Sequence, residues 1–340
     1  MAIAVWMVAA SAIGGTAFLG RGNFENALDS AVAASFSSTR IAREIAERIG
    51  APKRGTLLFT GDIMLDRGVA WKVRTQGEGN PHFPFQKVAE ILERADLTIG
   101  NLEGPVTTRG TRQGSIYSFQ MDPAVVRGLA FSGFDIVSLA NNHIWDYGRE
   151  GLEDTVTLLI DSAIQPIGAG LNRNAANAPV VMNVGDTRVA FLSFTTVYPK
   201  GLEAKDGTPG ISTTDRGEMQ ELVHGASADA DITVALMHWG VEYEISARDA
   251  ERELGRALID AGADLVVGHH PHVVQEVERY GEGWIAYSLG NFVFDQDFSE
   301  ETKEGLVLEV ALERGAITAV TGKAVKANAD FQPEFILRND

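Results

Sequence analysis

Residues 264–272 read DLVVGHHPH, a short apolar run that breaks directly into three imidazoles, His269, His270 and His272. The run has the length and branched composition of a buried strand and is too short for a helix. The residues at its end are metal-competent. His270 and His272 alternate on extended chain, so their rings can reach neighbouring positions of one site. Alone, such a pair reads equally well as loop histidines.

The same strand-then-polar pattern recurs along the chain. TLLFT (56–60) runs into Gly61–Asp62, LTIG (97–100) into Asn101–Leu102–Glu103, and DIVSLA (135–140) into Asn141–Asn142–His143. ITVALM (232–237) ends at His238–Trp239–Gly240, and WIAYS (284–288) leads to Asn291. Between these runs lie stretches apolar at helical spacing, PFQKVAEILERA (84–95) and REGLEDTVTLLIDSA (149–163). Strands alternating with helices predict an α/β sheet. Two hairpins are also predicted, 179–195 turning at Gly185–Asp186 and 305–325 turning at Arg314–Gly315. Crossover units mixed with hairpins point to two sheets packed face to face with helices outside. Gly168–Ala169–Gly170 lacks the full dinucleotide pattern and reads as a plain turn.

In α/β sheets, ligands bind outside the carboxyl ends of the strands. Five of the seven histidines fall there, leaving His82 and His224 elsewhere. Singly, Asp62 reads as a turn or cap, Asn141–Asn142 as left-handed loop chemistry, and His238 as a half-buried core histidine. Jointly they give two carboxylates, an amide and several imidazoles. The chain has no cysteine, so a metal would have only nitrogen and oxygen donors. That mixed set suits Mn, Zn, Fe or Mg better than Ca. No Gly-x-Ser-x-Gly elbow or Walker loop offers a competing chemistry.

Across 340 residues, hydrophobic content is 45% and charged content 22%, enough apolar residues for a substantial core. A net charge of −17 argues against a nucleic-acid footprint, and equally against holding a polyanion without cations or a local basic groove. The first twenty residues carry no charge, and the first cation is Arg21. A helix of that length just spans a bilayer. Residues 1–22 are expected to be an export signal or membrane anchor, with a buried N-terminal helix as the alternative. Residues 23–55 read as a linker and short helix, and 56–330 as the main domain.

The ordered motifs GDIMLDRG, NLEGPV, NNHIWDYG, HWGVEY, GHHPHVVQ and SLGNFVFD, within residues 56–297, resemble the CapA-type poly-γ-glutamate capsule-synthesis family of the calcineurin-like metallophosphoesterase superfamily. The resemblance implies a four-layer α/β/β/α sandwich, and one or two divalent ions held by Asp62, Glu103, Asn142, His238, His270 and His272. It implies that His143 acts as an acid or electrostatic stabiliser. Arg67, Asp146, Trp239, Glu242 and Asn291 also match its motifs, as candidates to orient ligands or bind substrate; alternatively Trp239 only packs and Asp146 only caps a helix. Met64 stands where the superfamily has a histidine, and His269 is an extra imidazole without an assigned role. The implied function is capsule or poly-γ-glutamate biosynthesis at the cell envelope. A hydrolytic site would activate water against a phosphorylated or polyanionic substrate. The alternative is a non-catalytic assembly subunit that uses the metal to engage the polymer. Membrane-embedded synthesis or export subunits are the expected partners.

Overall fold

Strand alternation sorts the apolar residues of this chain into layers. In the computed structural model, which describes residues 54–198 and 201–336, strand β1 (Arg54–Ile63) places Leu57 and Phe59 in one apolar cluster and Leu58 and Ile63 in another. Successive side chains point to opposite faces of a strand, so a run buried on both faces reads as continuously apolar.

The larger sheet has eight strands. Its order is β16 (Pro333–Phe335), β15 (Ala316–Ala327), β14 (Glu304–Glu313), β1, β2 (Leu97–Leu102), β3 (Phe134–Ser138) and β4 (Gln165–Ile167), with β13 (Asn291–Val293) paired alongside β1. The second sheet has six, ordered β11 (Val277–Tyr280), β12 (Gly283–Ala286), β10 (Leu265–His269), β9 (Ile232–His238), β7 (Thr187–Thr195) and β6 (Val180–Val184). Leu57, Ile99 and Val310 of the first sheet meet Phe191, Val234 and Val267 of the second in a single buried cluster, so the sheets lie face to face. The outer face of the larger sheet is covered by helices α1 (Arg67–Thr75), α2 (Ala89–Leu92), α3 (Val125–Phe131) and α4 (Gly148–Asp161). Later in the chain come helices α5 (Arg173–Asn177), α6 (Arg216–Asp229), α7 (Asp249–Asp260) and α8 (Glu300–Lys303); α6 and α7 cover the outer face of the six-stranded sheet. The expected mixed α/β architecture is present. Both expected hairpins form, with Gly185 and the Arg314–Gly315 pair at positive φ in their turns.

Several expectations need correcting. The stretch 84–95 is not one helix. Pro84 has no N–H, and the chain winds through a 3₁₀ turn at Phe83–Phe85 before the four-residue α2. Its hydrogen bonds are mostly three residues apart, as in Val88 N to Phe85 O and Ala95 N to Leu92 O. Phe85, Val88 and Leu92 are buried against the sheet all the same. Gly168 does turn, at φ 78°, but Ala169–Gly170 is strand β5, paired with β8 (Gly210–Ile211). The domain's first strand starts at Arg54 and its last ends at Phe335, both outside the expected 56–330. The signal or anchor at 1–22 lies outside the described residues, as does the linker and short helix at 23–55 up to residue 53. Among those described, no helix is long and apolar enough to cross a membrane.

Where β1 approaches β13 the backbones leave no room for a side chain. A Cβ on Gly61 would sit 2.0 Å from the carbonyl oxygen of Gly290, which accepts the Asp62 N–H at 2.9 Å. Gly61→Ala is therefore expected to lower unfolding stability by about 2–3 kcal/mol, as overpacking does elsewhere. Urea denaturation measures it, and an unchanged midpoint would refute so tight an approach.

Candidate metal centre

Parity along the strands carries the polar residues into the inter-sheet layer. In β2, Leu97 and Ile99 face the other sheet, so Asn101 does too; in β9, Ile232, Val234 and Leu236 do so, with His238 next in the alternation. The parallel strands β1 and β2 pair Asp62 with Asn101, and β9 and β10 pair His238 with His269. The carboxyl ends of strands from both sheets thus meet at one place.

Asp62, Glu103, His238, His270 and His272 are all buried there, while Asn142 is half-buried. Ligand atoms of Glu103, His238 and His270 lie within 4.8 Å of one another, and so do those of Asp62, Glu103 and His272. Asn142 joins the first group, its Oδ1 standing 2.7 Å from His238 Nε2. The two triplets share Glu103. Every residue expected to hold metal is brought to this cluster.

The donor set fits a divalent cation on one physical observation. Both carboxylate oxygens of Glu103 and the Nδ1 of His270 are buried with no hydrogen-bond partner among the described residues. Buried polar atoms are nearly always paired, and an unpaired carboxylate is among the costliest exceptions. A cation shared by these atoms would remove that cost. With no cation counted, protons take its place. Burial pushes the Glu103 carboxyl up to about 7. Burial would lower His272, but the Glu103 and Asp62 carboxylates outweigh it and hold the imidazole up at about 9. Asp62 is held well below the usual carboxylate range, because the His272 hydrogen bond and charge override its burial. Burial drives His270 down to about 3, with the His272 charge adding to it, and takes His238 far below its ordinary value. Metal binding would displace such protons.

Supporting side chains fix the ligands. Asn101 donates to Asp62 Oδ1 at 2.8 Å and lies 3.4 Å from His238 Nδ1, joining ligands from the two sheets. Asn141 holds Asn101 Oδ1 at 3.2 Å and accepts the backbone N–H of His143 and Ile144, shaping the loop that carries Asn142. Asn291 is buried behind His272. Its amide nitrogen is spent on Gln296 and Thr302, so its oxygen accepts His272 Nδ1 at 3.0 Å. That leaves His272 Nε2, 3.7 Å from Glu103 Oε1, to face the cluster. Partners of this kind set tautomer and ring orientation. Asn291 therefore supports a ligand and does not touch the open cavity.

His143 Nδ1 lies 2.8 Å from Asp146 Oδ2, which also accepts the Phe119 N–H, and its Nε2 is 3.8 Å from Glu103 Oε1. A cavity of about 350 Å³ opens beside His143 and His272, with Arg67, Glu242, Tyr243 and Phe298 in its wall. Arg67 is bidentate to Asp295 and stacks its guanidinium over Phe119, 4.8 Å from the ring centre. Trp239, expected to bind substrate, is 1% exposed on the opposite side of the six-stranded sheet. Its indole N–H is spent on the Tyr287 carbonyl at 2.9 Å. It packs. His269 also stays out of the cluster; its Nε2 reaches the Thr60 carbonyl at 3.1 Å, tying β10 to β1. Met64 is buried with Phe119 and Phe294, its sulfur accepting the Asp66 N–H at 3.1 Å. The loop 270–272 is strained: His270 and His272 have φ of 97° and 58° without being glycine.

Residues 56–296 match the protein family described as bacterial capsule synthesis protein PGA_cap. The chain is 37% identical to the PGA biosynthesis protein CapA of Bacillus subtilis (strain 168), over 73% of this chain and 66% of that protein. It is 34% identical to the capsule biosynthesis protein CapA of Bacillus anthracis, over 74% and 62% respectively, so it spans just under two thirds of both relatives. A probable polyglutamine synthesis accessory protein of Mycobacterium tuberculosis is 28% identical over 73% of this chain and 76% of its own length. Among solved structures, a hypothetical protein from Thermus thermophilus is similar in fold, with TM-score 0.50 and 18% identity over 80% of this chain and 99% of that one.

Proposed function

The chain belongs to the bacterial capsule synthesis protein family PGA_cap, and from that premise we propose that it serves poly-γ-glutamate capsule synthesis through a phosphoesterase-like metal site. The fold reading that accompanies this is a four-layer α/β/β/α sandwich of metallophosphatase type. One observation carries the metal reading: the buried, unpartnered carboxylate of Glu103 shared by two ligand triplets.

In this reading Asp62, Glu103, Asn142, His238, His270 and His272 hold one or two ions of Mn, Zn, Fe or Mg. A bound divalent cation supplies Lewis acidity toward water and a phosphoryl oxygen. The chain's own residues do the rest. Asn101 and Asn291 keep Asp62, His238 and His272 aimed at the cluster. Asp146 accepts from His143 Nδ1 and turns Nε2 toward the cavity, where the imidazolium form of the ring would donate its Nε2 proton to the leaving group and be left neutral. Arg67, steadied by Asp295, offers its remaining N–H groups to the anionic part of the substrate. Its charge, with that of the cations, would give the cavity locally positive groups within a chain of net charge −17. Partners would be membrane-embedded synthesis or export subunits at the cell envelope, a reading supported by the accessory role in the Mycobacterium tuberculosis relative's name.

Elemental analysis of the purified protein, beside turnover of phosphomonoester and phosphodiester reporters before and after chelation, tests this. The expected result is at least one equivalent of metal and chelator-sensitive hydrolysis of a reporter. Metal without turnover would favour an assembly subunit that grips the polymer through its cations. Protein that takes up no divalent metal at all would defeat both.

A further inference from the structure

The loop after β9 brings one more carboxylate, Glu242, to the cluster. Glu242 is exposed, yet its ligand oxygen lies within 4.8 Å of ligand nitrogens of both His270 and His272. Those two imidazoles otherwise belong to different triplets, His270 with Glu103 and His238, His272 with Glu103 and Asp62. Glu103 joins the triplets from the buried side. Glu242 reaches one histidine of each from the cavity wall.

Its position is set by backbone. The Tyr243 N–H donates to the Pro271 carbonyl at 2.8 Å, and Gln275 Nε2 donates to the Glu244 carbonyl at 2.7 Å. Gly240, at φ 91°, turns the chain close above Pro271, whose Cγ would lie 3.3 Å from an added Cβ. The loop bearing Glu242 is thus fastened to the turn that bears both histidines. A second observation points to a ligand at this spot: His270 is 4% exposed and its Nδ1 has no partner. Asp62, Glu103 and His272 supply three protein donors, and Glu103, His238 and His270 with Asn142 supply four, whereas divalent ions take four to six. Met64, just past β1, does not make up the difference, since it is buried against Phe119 and Phe294.

We propose that Glu242 is a cavity-side metal ligand that would join His270 and His272 in holding the cations. The assignment rests on the metal reading above. Its consequence is retention: the carboxylate slows loss of cation through the open side. Because Glu242 is exposed, replacing it leaves the core untouched, and folding does not confound the test.

The full chain is stripped with chelator and titrated with Mn(II), with binding read by calorimetry and coordination by electron paramagnetic resonance. For Glu242→Gln, the most weakly held equivalent is expected to bind at least tenfold more weakly than in the wild type, with an altered Mn(II) spectrum. Glu242→Asp is expected to recover part of that loss. Isotherms and spectra of Glu242→Gln that superimpose on the wild type would overturn the assignment while leaving the metal centre standing. A wild type that binds no Mn(II) or other divalent ion would overturn both, so the two failures are distinguishable.

Discussion

Replacing Glu103 with glutamine is expected to weaken divalent metal binding by about 100-fold or more, above the 10–100-fold usual for residues that merely support ligands. Glutamine keeps the shape and removes the charge that both triplets share. The stability consequence is lopsided. At a free metal concentration 100–1,000 times Kd, a bound cation stabilises the native state by about 3–4 kcal/mol. In a domain of this size that is on the order of 5–10 °C in Tm. The wild type should lose this on chelation, and the variant should lose only about 0.4–1.4 kcal/mol at the same metal concentration. Stripped of metal, the variant should melt no lower than the wild type, because glutamine removes a buried, unpaired carboxylate and breaks no hydrogen bond. Differential scanning calorimetry with and without chelator checks all four states. A variant whose Tm falls as far as that of the wild type on chelation would contradict a shared role for Glu103.

His143 should behave in the opposite manner, losing turnover while keeping metal. Its Nε2 stands at the cavity beside Glu103, and Asp146 fixes the other ring nitrogen. His143→Gln is expected to lower kcat on whichever reporter the wild type hydrolyses by about 10²–10⁴-fold, the usual worth of general acid–base catalysis. Asp146→Asn should lose less, because the imidazole remains with its tautomer and orientation unsettled. Metal content by elemental analysis should match the wild type in both. Full turnover in His143→Gln would remove the proton-transfer role, and loss of metal would reassign His143 as a ligand.

The strand ends were readable because burial on both faces makes each strand a clean apolar run, and the run stops where the site begins. Glu103, Asn142, His238, His270 and His272 could all be picked out in this way. Asn101 could not, since asparagine just past a strand looks like a turn; extending the Leu97, Ile99 alternation by one step would have put it between the sheets. The same parity explains the misplaced Trp239. It comes directly after His238, so it points to the other face and joins Tyr287 and Leu258 in the helix-covered layer. Asn291 was seen as polar and near the site, but not as standing behind His272, because its role depends on β13 adding beside β1, a pairing between residues more than two hundred apart. The broken helix at 84–95 shows that apolar spacing predicts which side is buried better than it predicts how the backbone winds.

The left-handed conformations on either side of Pro271 carry a consequence for ion choice. Such backbone costs on the order of 1–3 kcal/mol per residue and persists only where surrounding contacts over-determine it. A turn pinned in that way resists being stretched or squeezed, so the spacing between its two rings is nearly a constant of the molecule. A cation held by both rings would therefore have to conform to the protein, and larger, loosely coordinated cations would be expected to bind less well than smaller ones.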